Sequence, residues 1–183
     1  MNDDAELWRS LRRGDSKALE ILFRGYFDLL YDYGMKLTNQ KELVKDCVQD
    51  LFIYIWEKQT TLSQVQSVKA YLLISLRRSV LKCIKQQQKQ ISEIENIKQE
   101  TETTSFSPEE MLIVHEKESA QKQWLKSAID QIPQRMREAL YLKTFSEMPY
   151  KDIARIMGIS PQVARNYVSE AFQKLRDSLK RSD

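Results

Sequence analysis

The chain is poor in the residues that carry chemistry and in those that interrupt helices. It holds one histidine, two cysteines, four glycines and four prolines in 183 residues. His115 lies in a helical pattern with no Cys, Asp or Ser at catalytic spacing, and no GxGxxG, GxxxxGK or HExxH run is present, which argues against an enzyme. Cys47 and Cys83 lie far apart with no His or second Cys nearby, and read as buried structural thiols rather than a redox or zinc pair. No cofactor or metal is called for. Runs of alternating β-branched residues between turn signals are missing, which argues against sheets. Long apolar runs are missing too. Leu51 to Trp56 covers about a third of the ~20 residues that span a bilayer. The acidic N-terminus, Met1 to Glu6, lacks the basic and apolar regions of a signal peptide, so the chain is expected to be cytoplasmic with no membrane insertion.

What is there favours helix throughout: Leu, Ile, Lys, Gln and Glu dominate. The fold class is all-α, with two small helical domains at 1–92 and 109–183 and a flexible acidic linker at 93–108. The overall charge of +3 says little, but its distribution says more. From Lys58 to Ser92 there are seven basic residues and no acid, a pattern that suits a polyanion. A merely solvated face usually mixes both signs.

In the first domain a short helix, Asp4 to Arg12, ends before Gly14. Asp15 then offers an N-cap for a long helix from about Lys17 to Leu37, with Gly34 in its last turns. A third helix, about Gln40 to Lys58, has an apolar stripe of Val44, Cys47, Val48, Leu51, Phe52 and Ile55. Glu42, Asp46 and Asp50 stack in one row on its other side, where like charges repel slightly. Either this is an ordinary solvated face or it presents acid to a basic partner. After a polar loop, Gln59 to Ser67, a fourth helix runs from about Val68 to Gln88. Tyr71, Leu72, Ser75, Leu76, Ser79, Val80 and Cys83 form its inward stripe, and Arg77, Arg78, Lys82, Lys85 and Lys89 cover much of the remainder.

The second domain is expected to hold four helices. One spans about Glu109 to Gln131, and a second, opened by Pro133, carries Met136, Ala139, Leu140, Leu142 and Phe145. Tyr150 to Met157 is a two-turn helix that Gly158 can end in the left-handed conformation. Ser160-Pro161 supplies an N-cap and a first-turn proline for a helix to about Leu179, buried along Ala164, Val168, Ala171, Phe172, Leu175 and Leu179. Gln162, Arg165, Asn166, Ser169 and Gln173 remain on the outer face, with Tyr167 beside them. These side-chain types reach base edges and phosphates in a major groove. The pattern is a helix-turn-helix.

A helix-turn-helix alone fits a one-component repressor, a response-regulator output domain or an initiation factor. A one-component regulator needs a ligand pocket or a dimerising coiled coil, and residues 1–92 show instead an acid-faced helix beside a basic one.

Asp46-Cys-Val-Gln49-Asp50-Leu-Phe52-Ile-Tyr-Ile-Trp56 resembles the D-x-x-Q-(E/D)-x-F-x-x-x-W helix of the extracytoplasmic-function (ECF) sigma factors. Val68 to Lys85 resembles the helix that follows it in that family, and Leu11 to Leu19 its L-x-x-G-D opening. Ile132-Pro133 with Arg137 and Leu140 is similar to the entry to the family's −35-reading domain, and Ile159 to Arg176 to its recognition helix. The resemblance implies a sigma factor that binds RNA polymerase core on the clamp helices of the largest subunit, through Glu42, Asp46, Gln49, Asp50 and Phe52. It implies −10 contacts by Lys69, Tyr71, Arg77, Arg78, Lys82 and Lys85, a loop 59–67 that cradles an unstacked base, and −35 contacts by Gln162, Arg165, Asn166, Tyr167 and Ser169. An anti-sigma partner is implied as well. Two departures stand out. Arg78 occupies a position where many members carry Asn, which favours phosphate binding over base reading, and Glu170 replaces a residue that is often basic.

Overall fold

The computed structural model describes residues 4–95 and 127–180. Seven helices lie among them: α1 (Asp4–Leu11), α2 (Ser16–Leu37), α3 (Lys41–Glu57), α4 (Val68–Glu95), α5 (Gln134–Thr144), α6 (Tyr150–Met157) and α7 (Pro161–Lys180). A further helical stretch covers 127–130, and no strand occurs among the described residues. The all-α class is as expected. Contacts group the chain into two compact units, Met1–Thr104 and Ser105–Asp183.

Local chemistry sets the starts of these helices. The Asp15 carboxylate accepts from the backbone N–H groups of Lys17 and Ala18, satisfying two of the donors that open α2. The Ser67 hydroxyl accepts from Ala70 N–H at the head of α4. In the first unit α2 packs against α1, α3 and α4, and α3 packs against α4. Their meeting faces bury Leu22, Leu30, Tyr33, Val44, Val48, Ile55, Leu72, Leu76 and Val80, each worth about 1.5–3 kcal/mol if fully transferred from water. The closest approach is at Gly34, where a Cβ would stand 2.6 Å from a methyl of Val44. α2 and α3 meet there because the residue is glycine.

α4 carries on to Glu95, past the Gln88 expected from sequence. Gln and Lys are good helix formers and no glycine or proline interrupts them, so the backbone has no reason to stop. Residues 93–95, assigned to the linker, therefore belong to this helix. The remainder of the linker and most of the helix expected at 109–131 lie outside the described residues.

In the second unit α5, α6 and α7 pack on one another. Gly158 takes φ 65° and ψ 41°, and Ile159 N–H reaches back to Ala154 O at 2.9 Å, closing α6. The Ser160 hydroxyl accepts from Val163 N–H at 3.2 Å, and Arg135 Nη2 donates to Met157 O at 3.2 Å at the same corner. Ala154, Ala164 and Ala171 are buried where the helices cross.

Two apolar residues stand outside the core that their spacing suggested. Phe172 is 43% exposed. Each four-residue step drifts about 40° around a helix, so two steps from Ala164 bring position 172 roughly 80° round, to the edge of the stripe. Phe145 is 58% exposed and stacks on Tyr141, which takes the buried place. Leu175 is half-buried, and the side chain of Leu179 lies outside the described residues.

Candidate functional site

On α3 the side chains of Glu42, Asp46, Gln49 and Asp50 are all exposed. Four-residue spacing stacks the three carboxylates along one line of the helix. Lys45 pairs with Glu42 at 3.0 Å, on the surface, where such a pair adds little stability. The same outer side continues into Ile53 and Tyr54, 46% and 52% exposed. Phe52, expected to offer a partner an apolar contact, does not belong to this surface. It is 5% exposed and meets Phe23 edge-to-face at 5.0 Å. Its spacing from Val48 and Ile55 already placed it on the inward stripe, and the core takes it.

α4 divides its basic residues by exposure. Arg78, Lys82 and Lys85 are exposed, whereas Lys69 and Arg77 are half-buried. Tyr71 is half-buried against Trp8, with ring centroids 5.0 Å apart, and burial pushes its phenol above the usual tyrosine value. α3 and α4 also bring the two cysteines together. Cys47 Sγ lies 3.9 Å from Cys83 Sγ, both free thiols. The sequence kept them apart because their 36-residue separation hides a helix–helix contact. Burial pushes the Cys47 thiol up to about 11.

The loop between α3 and α4 is held from both sides. Thr61 and Leu62 N–H turn back to Lys58 O, and Leu62 is buried. Trp8 Nε1 donates to Ser63 O at 3.1 Å, and Arg12 Nη1 donates to Gln64 Oε1 at 3.3 Å. Sequence reasoning missed both ties, since nothing in the spacing of a short helix marks a contact more than fifty residues away.

In the second unit Gln162, Arg165, Asn166 and Ser169 are exposed along the first turns of α7, and Tyr167 is half-buried. Gln162 Nε2 donates to Asn166 Oδ1 at 3.0 Å, which orients both amides. The Arg165 guanidinium lies 5.5 Å from the Tyr150 ring centre and Lys143 Nζ lies 4.9 Å from it. Neither Tyr150 nor Lys143 was singled out from sequence. No group of three or more metal-ligating side chains occurs among the described residues, and none of their helices is long and apolar enough to cross a membrane.

An outward acid row, a basic helix packed beside it with no acid before Glu93, and a helix-turn-helix in a second unit define an all-helical DNA-binding protein. Residues 22–90 match the family model for sigma-70 region 2 and residues 122–175 that for sigma-70 region 4. The chain is 25% identical over 166 residues to the RNA polymerase sigma factor YlaC of Bacillus subtilis, covering 90% of this chain and 94% of that one. It is 22% identical over 158 residues to the ECF RNA polymerase sigma factor SigM of the same organism, covering 86% and 93%. Its fold matches the sigma factor RpoE of Bartonella quintana, solved in complex with the anti-sigma factor NepR, with a TM-score of 0.64, 22% identity and coverage of 90% and 98%. It also matches CnrH, solved in complex with the cytosolic domain of CnrY, with a TM-score of 0.62, 16% identity and coverage of 98% and 99%.

The chain belongs to the extracytoplasmic-function sigma factors of the sigma-70 family. It directs RNA polymerase to promoters as a transcription initiation factor and is not an enzyme.

Proposed function

We propose that residues 1–92 bind polymerase and the −10 element and that residues 109–183 bind the −35 element, with 93–108 joining them. Glu42, Asp46, Gln49 and Asp50 form the docking surface for the clamp helices of the largest subunit. Arg78, Lys82 and Lys85 hold phosphates of the non-template strand as the −10 element opens, with Lys69, Tyr71 and Arg77 at its upstream margin. Gln162, Arg165, Asn166, Tyr167 and Ser169 meet the −35 element in the major groove. The protein acts in the bacterial cytoplasm and is held by an anti-sigma factor, the kind of partner seen with RpoE.

One observation carries this reading. α3 points three stacked carboxylates outward, while α4, packed against it, has no acid anywhere between Lys58 and Ser92. Opposite charges segregated onto adjacent helices suit two different partners, a basic protein and a nucleic acid. The test is Asp50→Lys. The variant is expected to keep its helical circular dichroism and melting temperature while losing co-purification with core polymerase. Undiminished co-purification would overturn the docking surface.

A further inference from the structure

Trp8 of α1 is fully buried, yet its polar and apolar parts are engaged in different places. Its ring meets the edge of Tyr71 on α4 at 5.0 Å, and its Nε1–H donates to Ser63 O in the loop at 3.1 Å. One turn further along, Arg12 donates to the Gln64 side chain at 3.3 Å. α1 thus fastens the loop by main chain and side chain and ties it to the head of the basic helix.

The loop itself, residues 59–67, carries no charge. It consists of three Gln, two Thr, two Ser, Leu62 and Val65. Leu62 is buried, while Thr60, Thr61, Ser63, Gln64 and Gln66 are exposed. Amides and hydroxyls both donate and accept, the inventory that reads the Watson–Crick edge of an unstacked base. A loop free to rearrange would satisfy any base equally, because each amide can turn to suit. Discrimination needs the groups held in one arrangement before the base arrives.

We propose that Trp8 is a positioning residue for −10 sequence discrimination, fixing loop 59–67 against Tyr71 so that its amides and hydroxyls select one base. This rests on the reading above that the loop receives an unstacked −10 base. Trp8→Phe keeps an aromatic ring in the core while removing the N–H to Ser63 O, together with part of the buried ring volume. Loss of one such hydrogen bond corresponds to roughly 2–10-fold.

The experiment measures open-complex formation by core polymerase with the full chain, on one promoter and on its single-base −10 variants. Trp8→Phe is expected to lower the ratio between preferred and substituted −10 sequences by about 3–10-fold, with core affinity unchanged. An unchanged ratio, or an equal loss on every sequence, overturns the proposal. Arg12→Met, which releases Gln64 without touching the core tryptophan, serves as a second variant and is expected to shift the ratio in the same direction. Gln64→Ala and Gln66→Ala separate the two levels. If they leave discrimination intact, the loop does not read the base at all. If they abolish it while Trp8→Phe and Arg12→Met do not, only the positioning role falls.

Discussion

The guanidinium of Arg165 lies 5.5 Å from the centre of the Tyr150 ring, so one helix of the helix-turn-helix holds an exposed side chain of the other. Lys143 lies 4.9 Å from the same ring, so a single aromatic gathers two cations on this unit. An exposed contact of this kind is worth about 0.5–1 kcal/mol. Arg165→Ala is expected to cost about 1–3 kcal/mol in −35 binding where the arginine reads a base. Tyr150→Leu should cost less, roughly 2–5-fold, by releasing that side chain. In the Arg165→Ala background Tyr150→Leu should add little. Fully additive losses in this cycle, measured by promoter binding of the holoenzyme, would show that the ring does not act through Arg165.

Salt dependence separates the basic residues of α4 from a merely solvated face. Each phosphate contact to single-stranded DNA contributes about 0.7 to the slope of log affinity against log salt. Arg78→Gln and Lys82→Gln should each flatten the slope of open-complex stability by roughly that amount. A slope that matches wild type for both would remove them from the DNA-binding face.

Gly34 offers a packing test. An added methyl gains up to about 1 kcal/mol of helix propensity but lands 2.6 Å from the β-branched side chain of Val44. Overpacking of that kind costs about 1–3 kcal/mol, so Gly34→Ala is expected to lower the melting temperature. In a Val44→Ala background the same change should become neutral or stabilising. If thermal unfolding shows the same loss in both backgrounds, the α2–α3 contact is not its cause.

The Cys47 thiol, pushed up to about 11 by burial, remains protonated at neutral pH. Its folded value exceeds the ordinary 9.0, so the stability it lends is complete below about pH 9 and is lost as pH rises through 11. Alkylation requires the thiolate. At pH 8 the native protein should therefore label at Cys47 at least ~100-fold more slowly than the urea-unfolded chain, as read by peptide mass spectrometry. Equal rates would falsify the burial of this thiol.

The helix-turn-helix was readable because each of its corners is a local event. Gly158, Ser160 and Pro161 set their own backbone, and the structure follows them within a residue. The outward row Glu42, Asp46, Asp50 was equally plain, since helical spacing alone places it. Failures came where the answer depends on what lies across the gap. The Cys47–Cys83 contact, the Trp8 tie to Ser63 and the cation pair over Tyr150 all join residues that no period links. Phe52 illustrates a different failure. Family likeness offered it to a partner, while its own periodicity assigned it to the core. Phe172 and Phe145 show the limit of periodicity itself, which marks the edge of a stripe less sharply than its centre.

α4 runs for 28 residues, about 42 Å at 1.5 Å per residue, yet the last buried side chain among its described ones, up to Gln90, is Val80. Beyond Cys83 and Ile84, residues 85–90 are all exposed, and Gln40 reaches Gln87 by a side-chain hydrogen bond. Helix without tertiary cover is marginal in water. The distal turns therefore act as a cantilever whose stiffness is set by its neighbours. Under the −10 contacts proposed above, a phosphate backbone that neutralises Lys85 stiffens these exposed turns, so part of the cost of ordering falls on the DNA-bound state.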